Sequence, residues 1–341
     1  MKPHRGDCGW RPMVRASACS TKPLHLKGCS RSDWAQTLAD AEVQHDPIFI
    51  NVGANKGYKI AAFMALWSQH FTTGQMWKKR ILQYAAHISS GHLHSVSCGV
   101  CHDCHEPPPR RHGRTGGQTH ALELDSSNRR LLRHLIESFG MDASVRVHDL
   151  AASNSTGVVA TAPLLNPRTN KSLVGYEGHA ICTASSCRHR QLEYTRATTL
   201  DEFASAHRLR HLYQLSIDAE GWDAVILEGA RGLLRSRAIS LVEFEFSARK
   251  GFWSAAAGAD QRTLEHTLLW LGSFGYSCFW IVPDGLARAS PPCWQPAFEQ
   301  TRWSNLLCAH EPKILRRLET LIAQRQTPPR RSSGRPLGAN L

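Results

Sequence analysis

The stretch Ile48-Phe49-Ile50-Asn51-Val52-Gly53-Ala54-Asn55-Lys56-Gly57-Tyr58 decides how the rest of the chain is read. Its first half is a short apolar run that stops at Gly53. Its second half leads into a helix-compatible stretch that continues through Trp67. A buried strand feeding a glycine turn feeding a helix is the opening unit of a doubly wound α/β sheet.

Working outward from this unit, strands are predicted near residues 120–124, 144–148, 158–162, 213–217, 240–246, 278–282 and 306–309. Helical apolar spacing recurs at 126–139, 201–207, 224–234 and 262–271. This alternation predicts a mostly parallel central sheet with helices on both faces. The last strands are separated by Pro283, Pro291 and Pro292 with no obvious crossover helix, so they could pair antiparallel at the sheet edge. Two long interruptions break the rhythm. The first, about 68–118, begins with a helix-like stretch at 76–88 and becomes rich in Cys, His and Pro; the second spans 164–191. Loops of this length are usually functional. The domain is expected over 47–312, with a largely unstructured extension or transit segment at 1–46 and a basic, solvated tail at 313–341.

Composition sets the outer limits. With 341 residues, 42% hydrophobic and 20% charged, the chain can bury a large core and is neither collagen-like nor intrinsically disordered. No apolar run approaches the roughly 18 to 20 residues of a membrane span, and no secretory signal is evident, so an intracellular place, cytoplasmic or organellar, is expected. The net charge of +13 suggests a polyanionic partner until it is mapped. Residues 1–31 carry +6, 78–114 carry +4 and 313–341 carry +6, which leaves the remainder at −3. The excess is peripheral, and nucleic acid is not expected as a partner.

The turn itself excludes two ligand classes. Its spacing is not G-x-G-x-x-G, because Asn55 and Tyr58 stand at two of the glycine positions, and no Gly-Lys-Ser/Thr follows for a phosphate loop. What remains is a ligand that needs close backbone approach at Gly53 and Gly57 with little phosphate recognition, a description that S-adenosylmethionine meets. Glu123 closes the next predicted strand, where an acidic side chain can accept from ribose hydroxyls. It lies 70 residues beyond Gly53, and the first interruption accounts for the excess over the usual spacing. The strand ending near Asp149 and Ala151 adds another edge to the same crevice. Finally, Ser216-Ile217-Asp218-Ala219-Glu220-Gly221-Trp222-Asp223 follows an apolar strand. Two carboxylates there can contact a ligand amine, orient a substrate hydroxyl or bind a cation, or else cap the following helix.

Taken in order, Asn51-Val52-Gly53-Ala54-Asn55 with Gly57, Ala121-Leu122-Glu123-Leu124-Asp125 with Asn128, Ala151-Ala152-Ser153 with Gly157, Thr199-Leu200-Asp201-Glu202-Phe203, Ile217-Asp218-Ala219-Glu220-Gly221 with Gly229-Ala230, and Val242-Glu243-Phe244 resemble the motifs of FkbM-type methyltransferases. The resemblance covers about residues 48–282. It implies a Rossmann-like class I methyltransferase fold that uses S-adenosylmethionine, usually to methylate oxygen on sugars or natural-product scaffolds, with a small-molecule or carbohydrate acceptor. On it, Asn51, Gly53, Asn55, Gly57, Glu123, Asp149 and Ala151 are expected to hold the cofactor. Asp218, Glu220 and Glu243 are expected to orient or deprotonate the acceptor. Three positions depart from the family pattern: Asn51 replaces the usual Asp, Ser216 a frequent Lys, and Asp223 a frequent Glu.

The cysteines form a separate question. Cys98, Cys101 and Cys104 fall within seven positions, beside His102 and His105. Cys-x2-Cys offers two thiolates to one tetrahedral ion, and Cys182 or Cys187 could complete a zinc site that staples the two interruptions together. The alternative is a reduced, thiol-rich loop. Acceptor specificity is expected in the two interruptions and after Phe246, where Phe252, Trp253, Trp280 and Trp294 stand, unless these aromatics serve packing.

Overall fold

The computed structural model describes residues 19, 33–41, 46–68, 72–88, 93–97, 116–169, 172–177, 181–182, 187, 191–248, 253, 262–283 and 285–326. In chain order the elements are α1 (Asp33–Ala41), β1 (Ile48–Val52), α2 (Tyr58–Trp67), α3 (Gly74–His87), β2 (Gln118–Leu122), α4 (Ser126–Ser138), β3 (Val145–His148), β4 (Ala151–Ala152), β5 (Gly157–Thr161), β6 (Glu193–Thr198), α5 (Leu200–Ala206), β7 (Leu212–Ile217), α6 (Asp223–Glu228), α7 (Arg231–Arg235), β8 (Ile239–Phe246), α8 (Leu264–Ser273), β9 (Ser277–Val282), β10 (Gly285–Arg288), β11 (Ser304–Ala309) and α9 (Pro312–Gln326).

An eight-stranded sheet runs in the order β10-β9-β11-β8-β7-β1-β2-β3. The strands from β8 to β3 are parallel neighbours, while β11 is antiparallel to both β8 and β9 and β10 is antiparallel to β9. The parallel body and the antiparallel edge both follow the sequence reading. A small sheet, β4-β6-β5, sits apart. The chain leaves β1 toward β2 and β3 on one side and later fills β7 and β8 on the other. The order therefore reverses between β1 and β7, and in such sheets ligands bind beyond the C-terminal strand ends at this reversal.

Each face of the sheet carries its own apolar layer. One packs Phe49, Leu241, Phe279 and Leu307 under α1, α2, α3, α4 and α9. The other packs Ile50, Leu215, Val242 and Phe244 under α5, α6, α7 and α8. Helix starts follow local chemistry. Asp125 caps α4 by accepting from the Asn128 amide at 2.7 Å, and Thr199 caps α5 by accepting from that of Glu202 at 3.1 Å.

Several expectations are corrected. Within the N-terminal extension, α1 buries Trp34 and Leu38 in the first layer. The tail placed at 313 begins instead as α9, whose Ile314, Leu318 and Ile322 recur at helical spacing and enter the same layer. The helix expected over 224–234 is two helices. A Cβ on Gly229 would lie 2.1 Å from the Ser153 carbonyl oxygen, so this contact between backbones fixes glycine where the helix breaks. Strand β6 was not expected because its buried face is Thr195 and Ala197, which carry little apolar signal.

The cysteines are corrected most. Cys182 and Cys187 are joined to each other, Cys278 to Cys308 across β9 and β11, and Cys19 to Cys293 over a separation of 274 residues. Sulfurs shared in a disulfide are not thiolates, so Cys182 and Cys187 cannot serve as the proposed zinc ligands. Disulfides form and persist in oxidising surroundings. Cys98, Cys101 and Cys104 lie outside the described residues, and among the described residues no group of His, Cys, Asp or Glu could hold a metal ion. No helix among them is long and apolar enough to cross a membrane.

Candidate functional site

At the reversal between β1 and β7 lies a cavity of about 260 Å³. Its first wall is the glycine turn. Gly53 has φ +70, and a Cβ there would stand 1.9 Å from the Asp218 carbonyl oxygen. Gly57 has φ +79 and would bring a Cβ within 2.7 Å of Leu132. Asn55 also adopts the left-handed region, at φ 46, which typically costs a non-glycine residue about 1–3 kcal/mol and recurs at ligand clamps. The turn is held open by Glu123, 3% exposed, which accepts from the Asn55 amide at 2.6 Å and from the Asp125 amide at 2.8 Å. Burial, followed by the nearby Asp125 carboxylate, pushes Glu123 up to about 7.

Asn51 is 1% exposed on β1, and its Oδ1, like that of Asn55, is buried without a hydrogen-bond partner. Both asparagines line the cavity, as does Ala151. Asp149 does not. It lies outside the lining and pairs with Arg129 at 3.2 Å and with Arg133 of α4, because helical spacing on α4 presents both guanidinium groups to it.

The second wall is acidic. Asp218 and Glu220 follow β7 into the cavity. Glu220 has φ 52 and Gly221 φ 92, so the run turns back through two left-handed residues. Asp223 is fully buried behind them, accepting from the Ala219 amide at 3.4 Å and from the Glu245 amide at 3.1 Å. It ties the β7 exit to the end of β8. Glu243 does not line the cavity. It lies 3.2 Å from Lys59 and accepts from Gln214 at 3.3 Å. Glu245, two residues further along the same face of β8, reaches the C-terminal end of the sheet, lines the cavity and accepts from the indole N–H of Trp303. Strand length was the missed signal: β8 extends to Phe246, which makes the second carboxylate the one at the strand's mouth.

Two of the departures from the family pattern turn out to be neighbours. Asn51 pairs with Ser216 in the parallel register of β1 and β7, so the expected carboxylate and the frequent ammonium are replaced together. Lys59, in the first turn of α2, brings its ammonium 3.0 Å from Ser216 Oγ and restores a cation there. Burial opposes that charge, but Glu243 and Asp218 hold Lys59 above its ordinary range.

The two interruptions meet over the first wall through backbone and side-chain bonds rather than metal. Leu93 and Val174 form a parallel bridge, and the His94 amide donates to the Val174 carbonyl at 2.9 Å. Lys56, 2% exposed, donates to the Gly175 carbonyl at 3.0 Å and pairs with Glu177. Asn55 and Asn128 both donate to the Tyr176 carbonyl. Leu93, Val174, Gly175, Tyr176 and Glu177 were not singled out in the sequence, because contacts 119 and 121 residues apart leave no local pattern. Of the aromatics expected to face an acceptor, Trp253 and Trp280 are core, Trp294 packs on it, and Phe252 is outside the described residues. Trp222 and Trp303 line the cavity instead.

The precorrin-6y C5,15-methyltransferase from Geobacter metallireducens GS-15 aligns over 82% of this chain and 87% of its own at 10% identity with a TM-score of 0.34. An O-methyltransferase from Bacillus cereus in complex with SAH aligns over 83% of each chain at 10% identity with a TM-score of 0.33. No curated protein sequence matches the chain. The model of the methyltransferase FkbM domain, however, matches residues 51–278, from the asparagine of the glycine turn to the strand beyond the acidic wall. On that match, covering well over half of its length, the chain belongs to the FkbM methyltransferase family, and it is a methyltransferase.

Proposed function

We propose that the chain moves a methyl group from S-adenosylmethionine to a hydroxyl of a small molecule, a sugar or a natural-product scaffold. The observation that carries this reading is the shared lining of one cavity: a glycine turn with a buried ribose-type acid, Glu123, lines it together with three carboxylates, Asp218, Glu220 and Glu245. The residues fit the cofactor on their own chemistry. The unpartnered Oδ1 atoms of Asn51 and Asn55 are buried acceptors awaiting donors, and the missing Cβ atoms at Gly53 and Gly57 leave the backbone accessible.

Bound S-adenosylmethionine supplies an electrophilic methyl on a sulfonium. The chain's task is then to align the acceptor and remove its proton. Glu123, Asn51 and the turn would hold the cofactor. Glu220 or Glu245 would take the acceptor proton, since Glu245 is buried and Glu220 half-buried, and both stand above the ordinary carboxylate range. Asp218 would orient the hydroxyl. A carboxylate-lined wall also repels a phosphodiester backbone, which supports a small neutral acceptor over nucleic acid. Incubating the protein with methyl-labelled S-adenosylmethionine and fractionated small-molecule extract should label a hydroxylated product. Label confined to protein or nucleic acid would reject this reading.

A further inference from the structure

The acidic wall has more negative groups than partners for them. Asp218, Glu220 and Glu245 line the cavity, and Asp223 lies buried directly behind them. Among the described residues, the cations on the lining are Lys56 and Lys59. Lys56 is committed to Glu177 and the Gly175 carbonyl. Lys59 is 3.2 Å from Glu243 but 3.9 Å from Asp218, so its charge is largely taken by a carboxylate outside the cavity. No described arginine or histidine lines the space. The other titratable groups on the lining, Glu123, Glu177 and Tyr58, bring no positive charge.

Carboxylates crowded in this way with too few counter-ions hold protons in common. The arrangement is fixed rather than adaptable. Asp223 clamps the Ala219 and Glu245 amides at 3.4 and 3.1 Å, and Glu220 is presented by a left-handed backbone. Burial, then Asp218, Asp223 and Glu177, pushes Glu220 up to about 8; burial and Asp218 push Asp223 up to about 7.

We infer, building on the reading of this cavity as a cofactor and acceptor site, that the positive charge of the methyl donor completes the acidic wall. Glu220 and Glu245, crowded beside Asp218, hold protons in the empty protein and give one up when the sulfonium cofactor binds, so donor binding itself arms the general base. The charge balance closes on transfer. The S–CH3 bond breaks with its electron pair left on sulfur, the O–CH3 bond forms, and the hydroxyl proton goes to the ionised carboxylate. A cation and an anion become two neutral groups, and the wall then holds the neutral thioether product less firmly than the donor.

Isothermal titration at pH 6.5 tests this without turnover. That pH lies below the α-amino range of about 7.7–8.0, so both ligands carry a protonated amine. Titrations in phosphate and in imidazole, whose ionisation enthalpies differ, report the protons exchanged. S-adenosylmethionine should release about half a proton or more, S-adenosylhomocysteine almost none. The donor should bind roughly tenfold more tightly than the product, the equivalent of one pKa unit. Glu220→Gln or Glu245→Gln should shrink both differences, and the wild-type comparison stands alone if either variant fails to fold. Equal proton counts, or product bound as tightly as donor, would overturn the inference while leaving the cofactor site standing. Failure of either ligand to bind would overturn the cofactor site itself, and this inference with it.

Discussion

The two walls of the cavity are built on opposite principles. The glycine turn works through backbone: Gly53 and Gly57 are positions where a side chain has no room, and Glu123 uses its carboxylate to join the Asn55 amide of the turn to the Asp125 amide at the cap of α4. The acidic wall works through side chains crowded without enough counter-ions, held by one buried aspartate. The first wall is therefore intolerant of any added atom. The second tolerates isosteric change in shape but not in charge.

The difference can be broken most severely at Gly53. A Cβ there would meet the Asp218 carbonyl oxygen at 1.9 Å in a backbone region that side chains rarely adopt, so Gly53→Val should abolish measurable S-adenosylmethionine binding by calorimetry. Normal binding by that variant would refute the placement of the cofactor. Next come Asp218→Asn and Glu245→Gln, which keep shape and remove charge. Turnover should fall about 10²- to 10⁴-fold, the usual range for losing acid–base assistance, with a smaller change in cofactor affinity. If Glu243→Gln slows turnover more than Glu245→Gln, the roles of the two β8 carboxylates are reversed.

A smaller effect is expected where the interruptions strap the first wall. Lys56→Met removes the ammonium from the Gly175 carbonyl and from Glu177. The variant should show faster proteolysis within residues 164–191 and weaker cofactor binding, with the melting temperature little changed.

The last two effects are read from stability against pH. Glu220 stands raised to about 8. Between the ordinary carboxylate range and that value the folded chain holds a proton the unfolded chain has lost, so this group lowers stability as pH rises through the interval. Glu220→Gln should therefore melt progressively higher than wild type as pH is raised from 5 to 8; a constant gap would contradict it. Outside the cavity lining, His120 and His148 stack with Nδ1 and Nε2 3.0 Å apart, and burial, followed by neighbouring histidines, lowers both to about 4. There the unfolded chain binds more protons below about 6.5. The melting temperature should fall as pH drops from 6.5 toward 4, and a double substitution by Gln should flatten that fall slightly.

What could be read in the sequence was whatever repeats locally. The strand–glycine–helix unit at 48–58, the parallel body, the antiparallel edge and the lining by Gly53, Glu123, Asp218 and Glu220 all declare themselves through runs and spacings of a few residues. The order of motifs placed them on strand ends, and a parallel sheet gathers its strand ends at one crevice. Asp149 misled because an acid at a strand end reads the same whether it faces a ligand or the guanidinium groups of α4. Glu243 misled because the period-two repeat marks a face of β8 but not how far along the strand the cavity lies.

Tertiary structure decided the remainder. It placed Lys59 beside Ser216, opposite a paired departure at Asn51, and it folded the second interruption onto the first through Val174, Gly175 and Tyr176. It also paired Cys19 with Cys293 and drew Glu245, Trp303 and Asp223 together. These contacts join residues tens to hundreds of positions apart, and their energy depends on burial and on which charges have no other partner. A sequence fixes the inventory of charges and the local geometry of each strand end. Only the folded sheet determines which carboxylates line one cavity with too few cations among them, and that shortage is what the proposal of a positively charged donor rests on.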